Sequence, residues 1–121
     1  MKSEEVIVKQ VMETANLPIA KPNDNISQIL PTMVNRRLGL IIIMENGQFL
    51  GIVTGGDIQR TILSNEANFL YLKMEQVMNN NPISIKENAS LADAEILFKK
   101  HGIVVLIVTD DNGNFIGVLQ K

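Results

Sequence analysis

The chain has 121 residues, a length that suits one compact domain, and 45% of them are hydrophobic. With four Phe, one Tyr and no Trp, its core has to be built from Ile, Leu, Val and Met. A formal charge of −2 without a basic patch argues against a nucleic-acid surface, and the lack of cysteine excludes a disulfide, a thiolate metal site and a thiol nucleophile.

Residues 1–5 are polar and read as a linker or tag remnant. Residues 6–12 suit a short helix or strand. Leu17-Pro18-Ile19 reads as an extended piece, because the position before a proline is biased away from helix. Asn25 looks like a helix cap with Gln28 as its box partner three residues on. Ile26, Ile29, Leu30, Met33, Val34 and Leu38 follow at helical spacing, and Gly39 ends the helix. Pro31 costs roughly 3 kcal/mol inside a helix, so a kink or a separate first turn is expected there. Residues 40–45 read as a strand, with three consecutive Ile indicating burial on both faces. Asn46-Gly47 is a hairpin signal, and residues 48–53 return. Ile58, Ile62 and Leu63 form the apolar face of a short helix. Residues 65–74 read as a linker with helical character. The longest apolar run, 38–44, is far too short to cross a bilayer, so a soluble cytoplasmic protein with no membrane partner is expected.

The chain is organised around 49–60, FLGIVTGGDIQR, a buried strand entering a tight glycine turn and then a helix. Gly55 and Gly56 carry no Cβ and let the backbone turn and approach a ligand. A helix opening near Asp57 points free N–H groups at the turn, which attracts anions. Thr54 supplies a hydroxyl for phosphate and Asp57 a carboxylate for sugar hydroxyls. Read locally, the same two residues also make an ordinary helix cap.

The pattern then starts again. Val11-Met12 recurs as Val77-Met78, Leu17-Pro18-Ile19 as Asn81-Pro82-Ile83, and Ile26 as Leu91 behind a cap at Ser90 with Asp93 three on. Leu91, Ala94, Leu97 and Phe98 give a second helix its buried face, closed by His101-Gly102. Residues 103–109 are a strand, Asn112-Gly113 answers Asn46-Gly47, and 115–119 answers 49–53. The offset stays at 64 to 66 residues, the mark of an internal repeat. Each half reads strand, helix, strand, strand, helix, and neither hides its own sheet face well, so the halves should pack on each other. The second copy stops at Gln120-Lys121, without a second Thr-x-x-Asp turn or closing helix, and reads as a piece of a longer protein.

Two such units, the first ending in Gly51-Ile52-Val53-Thr54-Gly55-Gly56-Asp57-Ile58, resemble a CBS domain pair, named after cystathionine β-synthase. The resemblance covers 6–121. It implies an α/β (α+β) fold of two β-α-β-β-α repeats packed as a pseudo-two-fold pair, the first over 6–64 and the second, incomplete, over 75–121. It also implies a non-catalytic regulatory module, with no required cofactor, that binds a nucleotide in the cleft between the copies and self-associates as a homodimer. Phosphate contact would fall on Thr54 and ribose contact on Asp57, with Gly55, Gly56 and Arg60 counted among the ligand-binding residues. Base contacts would come from Pro18, Ile19, Ala20 and Leu40. Leu17-Pro18-Ile19, Arg36-Arg37-Leu38-Gly39, the 54–60 turn and 91–103 further resemble the C-terminal CBS pair of arabinose-5-phosphate isomerases, which feed the route to the acidic sugar Kdo. That resemblance implies an attached sugar-phosphate isomerase and an adenine nucleotide, CMP or CMP-Kdo as ligand. Those relatives usually read Thr-Asp-Gly-Asp-Leu-Arg-Arg at the turn; here Gly55 and Gln59 replace the first Asp and the first Arg. CBS pairs of sugar nucleotidyltransferases carry a similar turn and are the second choice of parent. A ligand-free dimerisation scaffold is the alternative reading from another functional class.

Other signals are weaker. Arg36, Arg37 and Arg60 could reach an anionic ligand or a partner subunit, or simply favour helix C-termini. His101, the single histidine, has no second His or Cys to complete a metal site. Residues 110–114 are similar to a calcium loop, but the glycine falls at the fourth place instead of the sixth and the closing Glu is missing, so a hairpin turn is expected.

Overall fold

The computed structural model describes residues 6–35, 39–64 and 67–121. Arg36, Arg37 and Leu38, and the leading residues 1–5, lie outside the described residues. The chain divides into two units: Leu17–Asn81 forms one, and the residues through Asn16 join Pro82–Lys121 in the other.

In the 17–81 unit, β1 (Ile19–Ala20) runs parallel to β2 (Leu40–Glu45), and β3 (Gln48–Thr54) returns antiparallel on its far side. Leu40 to Ile43 are all buried, as four successive apolar residues in a central strand require. The hairpin turns on Asn46 and Gly47, both at positive φ (53° and 78°), which matches the strand twist. α1 (Ile26–Asn35) opens on the expected box: Gln28 Oε1 accepts the Asn25 N–H at 2.8 Å and Asn25 Oδ1 accepts the Gln28 N–H at 3.1 Å. Its helical span continues through Pro31. The Ser27 carbonyl that a proline nitrogen cannot serve belongs to an exposed residue, where water can take its place.

α2 (Gly55–Ser64) departs from expectation twice. Gly55 and Gly56 are not a glycine turn; they form the first helical residues, and neither has a positive φ. The box between Thr54 and Asp57 starts the helix directly at the strand end, so no left-handed residue is needed. Ile58 is buried, but Ile62 is 38% and Leu63 78% exposed, so only the beginning of this apolar face is covered.

The second unit repeats the plan with β4 (Ser84–Lys86), α4 (Leu91–His101), β5 (Val105–Thr109) and β6 (Phe115–Gln120) in the order β4-β5-β6. Ser90 Oγ caps α4 by accepting the Asp93 N–H at 3.0 Å, and Gly102 closes it at φ 63°. Ala94 and Phe98 are buried in the core of this unit, with Leu91 and Leu97 partly buried beside them. Its hairpin is one residue longer than the first, and only Gly113 takes a positive φ. Asp110 organises that turn: Oδ1 accepts the N–H of Asn112 and of Asn114, both at 2.9 Å, and Lys86 Nζ donates to the Asp110 carbonyl at 3.1 Å. The Asn114 N–H, then its side-chain amide, the Asn112 N–H and the Lys86 charge hold the Asp110 carboxyl below its ordinary value, against a smaller opposing effect of burial. A lowered native pKa contributes stability above the unfolded value, which is lost as pH falls through the native value. A carboxyl-detected NMR titration should therefore give Asp110 a midpoint below that of an unstructured aspartate; an equal or higher midpoint refutes this account.

Two short helical pieces do not stay with the repeat they precede. A 3-10 turn at Val8–Gln10 lies with the second half, where Val8 N–H donates to the Ala89 carbonyl at 2.9 Å and Glu13 exchanges both backbone hydrogen bonds with Val118. α3 (Met74–Val77) lies with the first half: Met74 N–H donates to the Asp24 carbonyl at 2.7 Å, and Asn79 exchanges both bonds with Ile52. Val8 and Met74 are each fully buried. Gly51 and Gly117 allow the close approach, since a Cβ on either would lie 2.5 or 2.6 Å from the Asn79 or Glu13 carbonyl oxygen.

Candidate functional site

The register of the 17–81 sheet gathers most of the expected residues at one end. Leu40 opens β2 directly opposite Thr54, the last residue of β3. The Pro18 carbonyl accepts the Ile42 N–H at 2.8 Å, which brings the start of β1 to the same end. Gly55 N–H donates to the Gly39 carbonyl at 3.2 Å, so α2 departs from this corner.

Thr54 and Asp57 satisfy each other. Asp57 Oδ2 accepts the Thr54 N–H at 2.8 Å and its hydroxyl at 3.0 Å, while Thr54 Oγ1 accepts the Asp57 N–H at 3.4 Å. This is a capping box with aspartate as the third helical residue. Arg60 Nη2 donates to the other carboxylate oxygen, Oδ1. The Asp57 side chain is 13% exposed and that of Arg60 71%. One oxygen thus serves the backbone and hydroxyl of Thr54, and the other holds a solvent-facing cation. Thr54 and Gly56 are partly exposed and Gly55 is open. No heavy atom lies within 4 Å of a Cβ built on Gly55.

The remaining expected contacts separate. Ala20 is buried in the core with Ile26, Ile29 and Val53. Ile19 is 58% exposed and lines a half-open cavity of about 230 Å³ with Lys21, Met44 and the Asn46-Gly47 turn, at the hairpin end of the sheet, away from Thr54. The pairing of Arg60 with Asp57 was not anticipated, although the three-residue helical spacing of opposite charges could have revealed it. Arg60 sits within α2 and not at its C-terminus. His101 is exposed in the last turn of α4. Gln120 occupies the β6 place that corresponds to Thr54, opposite Val105 as Thr54 is opposite Leu40. Among the described residues no helix is long and apolar enough to cross a membrane.

Residues 8–64 and 74–120 each match the family described as the CBS domain. The chain is 34% identical over 113 residues to a probable arabinose 5-phosphate isomerase of Haemophilus influenzae, covering 93% of this chain and 33% of that protein. It is 31% identical over 113 residues to arabinose 5-phosphate isomerase KdsD of Francisella tularensis, covering 93% and 34%. The chain therefore spans about a third of the length of these curated relatives. Among solved structures, CBSX2 in complex with AMP superposes with a TM-score of 0.79 at 20% identity, covering 96% of this chain and 90% of that one. The CBS domain of a bacterial CNNM/CorC family Mg2+ transporter in complex with ATP gives 0.76 at 15% identity, covering 97% and 82%.

Proposed function

The chain belongs to the CBS domain family as a tandem pair of repeats, and we propose that it is a non-catalytic regulatory module that binds a nucleotide and modulates an attached arabinose-5-phosphate-type isomerase. The observation that carries this reading is the Thr54-Asp57 pair at the mouth of α2, a hydroxyl and a carboxylate held together beside an exposed arginine. Thr54, Gly55, Gly56 and Arg60 would meet phosphate, Asp57 the ribose diol, and Pro18 and Leu40 at the same sheet end would lie toward the base, with Ile19 and Ala20 beyond. The AMP and ATP complexes of fold neighbours support an adenine nucleotide. CMP and CMP-Kdo are the further ligand candidates. Repeats over 6–64 and 75–121 joined by 65–74, a homodimer and a cytoplasmic location complete the proposal.

Ligand binding would bias the attached domain by its difference in affinity for the two states. Thermal melting with AMP, ADP, ATP, S-adenosylmethionine, CMP and CMP-Kdo tests this. A ligand at a hundred times its dissociation constant adds about 2.7 kcal/mol, a rise of several degrees for a chain of this size. Asp57→Ala should abolish the rise and, by removing the box, cost about 1 kcal/mol on its own. A second reading, a ligand-free dimerisation scaffold, draws on the internal satisfaction of Thr54 and Asp57. Unchanged melting with all six compounds, in wild type and variant, would favour it.

A further inference from the structure

We infer that Arg60 is a counter-ion that changes partners, pairing with Asp57 until a phosphate takes it over on binding, so that the site selects a nucleotide over the corresponding bare nucleoside. The inference rests on the nucleotide reading above and adds the reason for its selectivity. Asp57 has no idle oxygen: Oδ2 takes two donors from Thr54 and Oδ1 takes Arg60. Three of the carboxylate's roughly four acceptor positions are therefore taken, and a ribose diol, which brings two hydroxyls, can place both on it only by displacing a donor. The Thr54 donors are fixed by the strand end and the helix start, whereas the Arg60 side chain is 71% exposed and free to swing away.

The guanidinium folds back along α2 toward its N-terminus. A Cβ on Gly56 would stand 3.3 Å from Nη1 and 3.7 Å from Thr54 Oγ1, so the cation and the hydroxyl flank the same glycine. A cation there faces the positive end of the helix dipole, and among the described residues its ion pair is with Asp57. It is also the single Lys or Arg between 55 and 64. A bare nucleoside that takes Asp57 leaves this guanidinium without its carboxylate at the positive end of the helix dipole. A nucleotide brings a phosphate that accepts from Arg60 in two-pronged fashion and so completes the exchange. The missing side chain at Gly56 leaves the guanidinium uncrowded at this end of the helix, where a Cβ would press on it.

Calorimetric titration of AMP against adenosine, and of CMP against cytidine, into wild type and R60Q separates the possibilities, because each pair differs by the phosphate alone. Wild type should hold the nucleotide about tenfold or more tighter than its nucleoside, the scale of one charge-assisted contact. In R60Q that advantage should fall to about threefold or less, with the nucleoside bound as well as before or better. A phosphate preference that survives in R60Q, or an equal loss for nucleotide and nucleoside, overturns the exchange while leaving nucleotide binding standing. No heat from any of the four compounds with either protein overturns the exchange, and unchanged melting with all six compounds above overturns nucleotide binding as well.

Discussion

Gly51→Ala and Gly117→Ala should each lower the melting temperature by several degrees, an effect far larger than a single methyl on a surface strand would give. The added carbon would sit 2.5 Å from the Asn79 carbonyl oxygen in one case and 2.6 Å from the Glu13 carbonyl oxygen in the other. Both obstacles are backbone, so neither can swing aside as a side-chain tip would. Relief requires the paired segment to move off, and that segment is held by two short bonds, Ile52 N–H to Asn79 O at 3.0 Å and Asn79 N–H to Ile52 O at 2.8 Å. Overpacking of this kind costs about 1–3 kcal/mol, and stretching the bonds adds to it. Gly55→Ala is the control. It meets nothing within 4 Å and its backbone is helical, so it should be neutral or stabilise by about 0.5–1 kcal/mol. If Gly51→Ala melts with the wild type, the close approach of Asn79 is wrong.

Met74→Ala should be costlier still, about 2–5 kcal/mol. Met74 opens the second stretch that matches the family, yet it is fully buried in one core with Ile26, Ile41, Ile43 and Val53 of the first. Its counterpart Val8 fills the same role beside Leu106 and Val108, and Val8→Ala should cost less in proportion to the carbons removed. Denaturant titration reads both: the midpoint should fall with the slope unchanged. A Met74→Ala midpoint equal to wild type would mean that the methionine is not a core residue.

Features carried by neighbouring residues were legible in the sequence. Asn25 and Gln28 form their box, Asn46-Gly47 makes its turn, and the isoleucine run is buried throughout, because each rests on chemistry within a few positions. What escaped depends on distant partners. The recurrence of Val11-Met12 as Val77-Met78 was visible, but nothing local says that each copy lies with the opposite half. The apolar spacing of Ile58, Ile62 and Leu63 marks a helix face without saying how much of it is covered. At the site, the Thr-x-x-Asp spacing pointed both to a cap and to a ligand. The cap is in place, and Arg60 is bound into it. Arg36 and Arg37 lie outside the described residues. The second hairpin looked like the first because Asn-Gly recurs, yet one added residue left only Gly113 in the left-handed region.

The crossing of the two lead-in segments also constrains what a single copy could be. Residues 8–13 complete the sheet of 82–121, and 74–79 complete that of 17–64. A gene encoding one copy with its own lead-in would yield a chain whose sheet lacks this partner and whose lead-in lacks its sheet. Two molecules could repair each other by trading those ends, and such an assembly would come apart on dilution. Tandem duplication places both ends on one polypeptide, so the trade happens within a single molecule and its strength no longer depends on protein concentration.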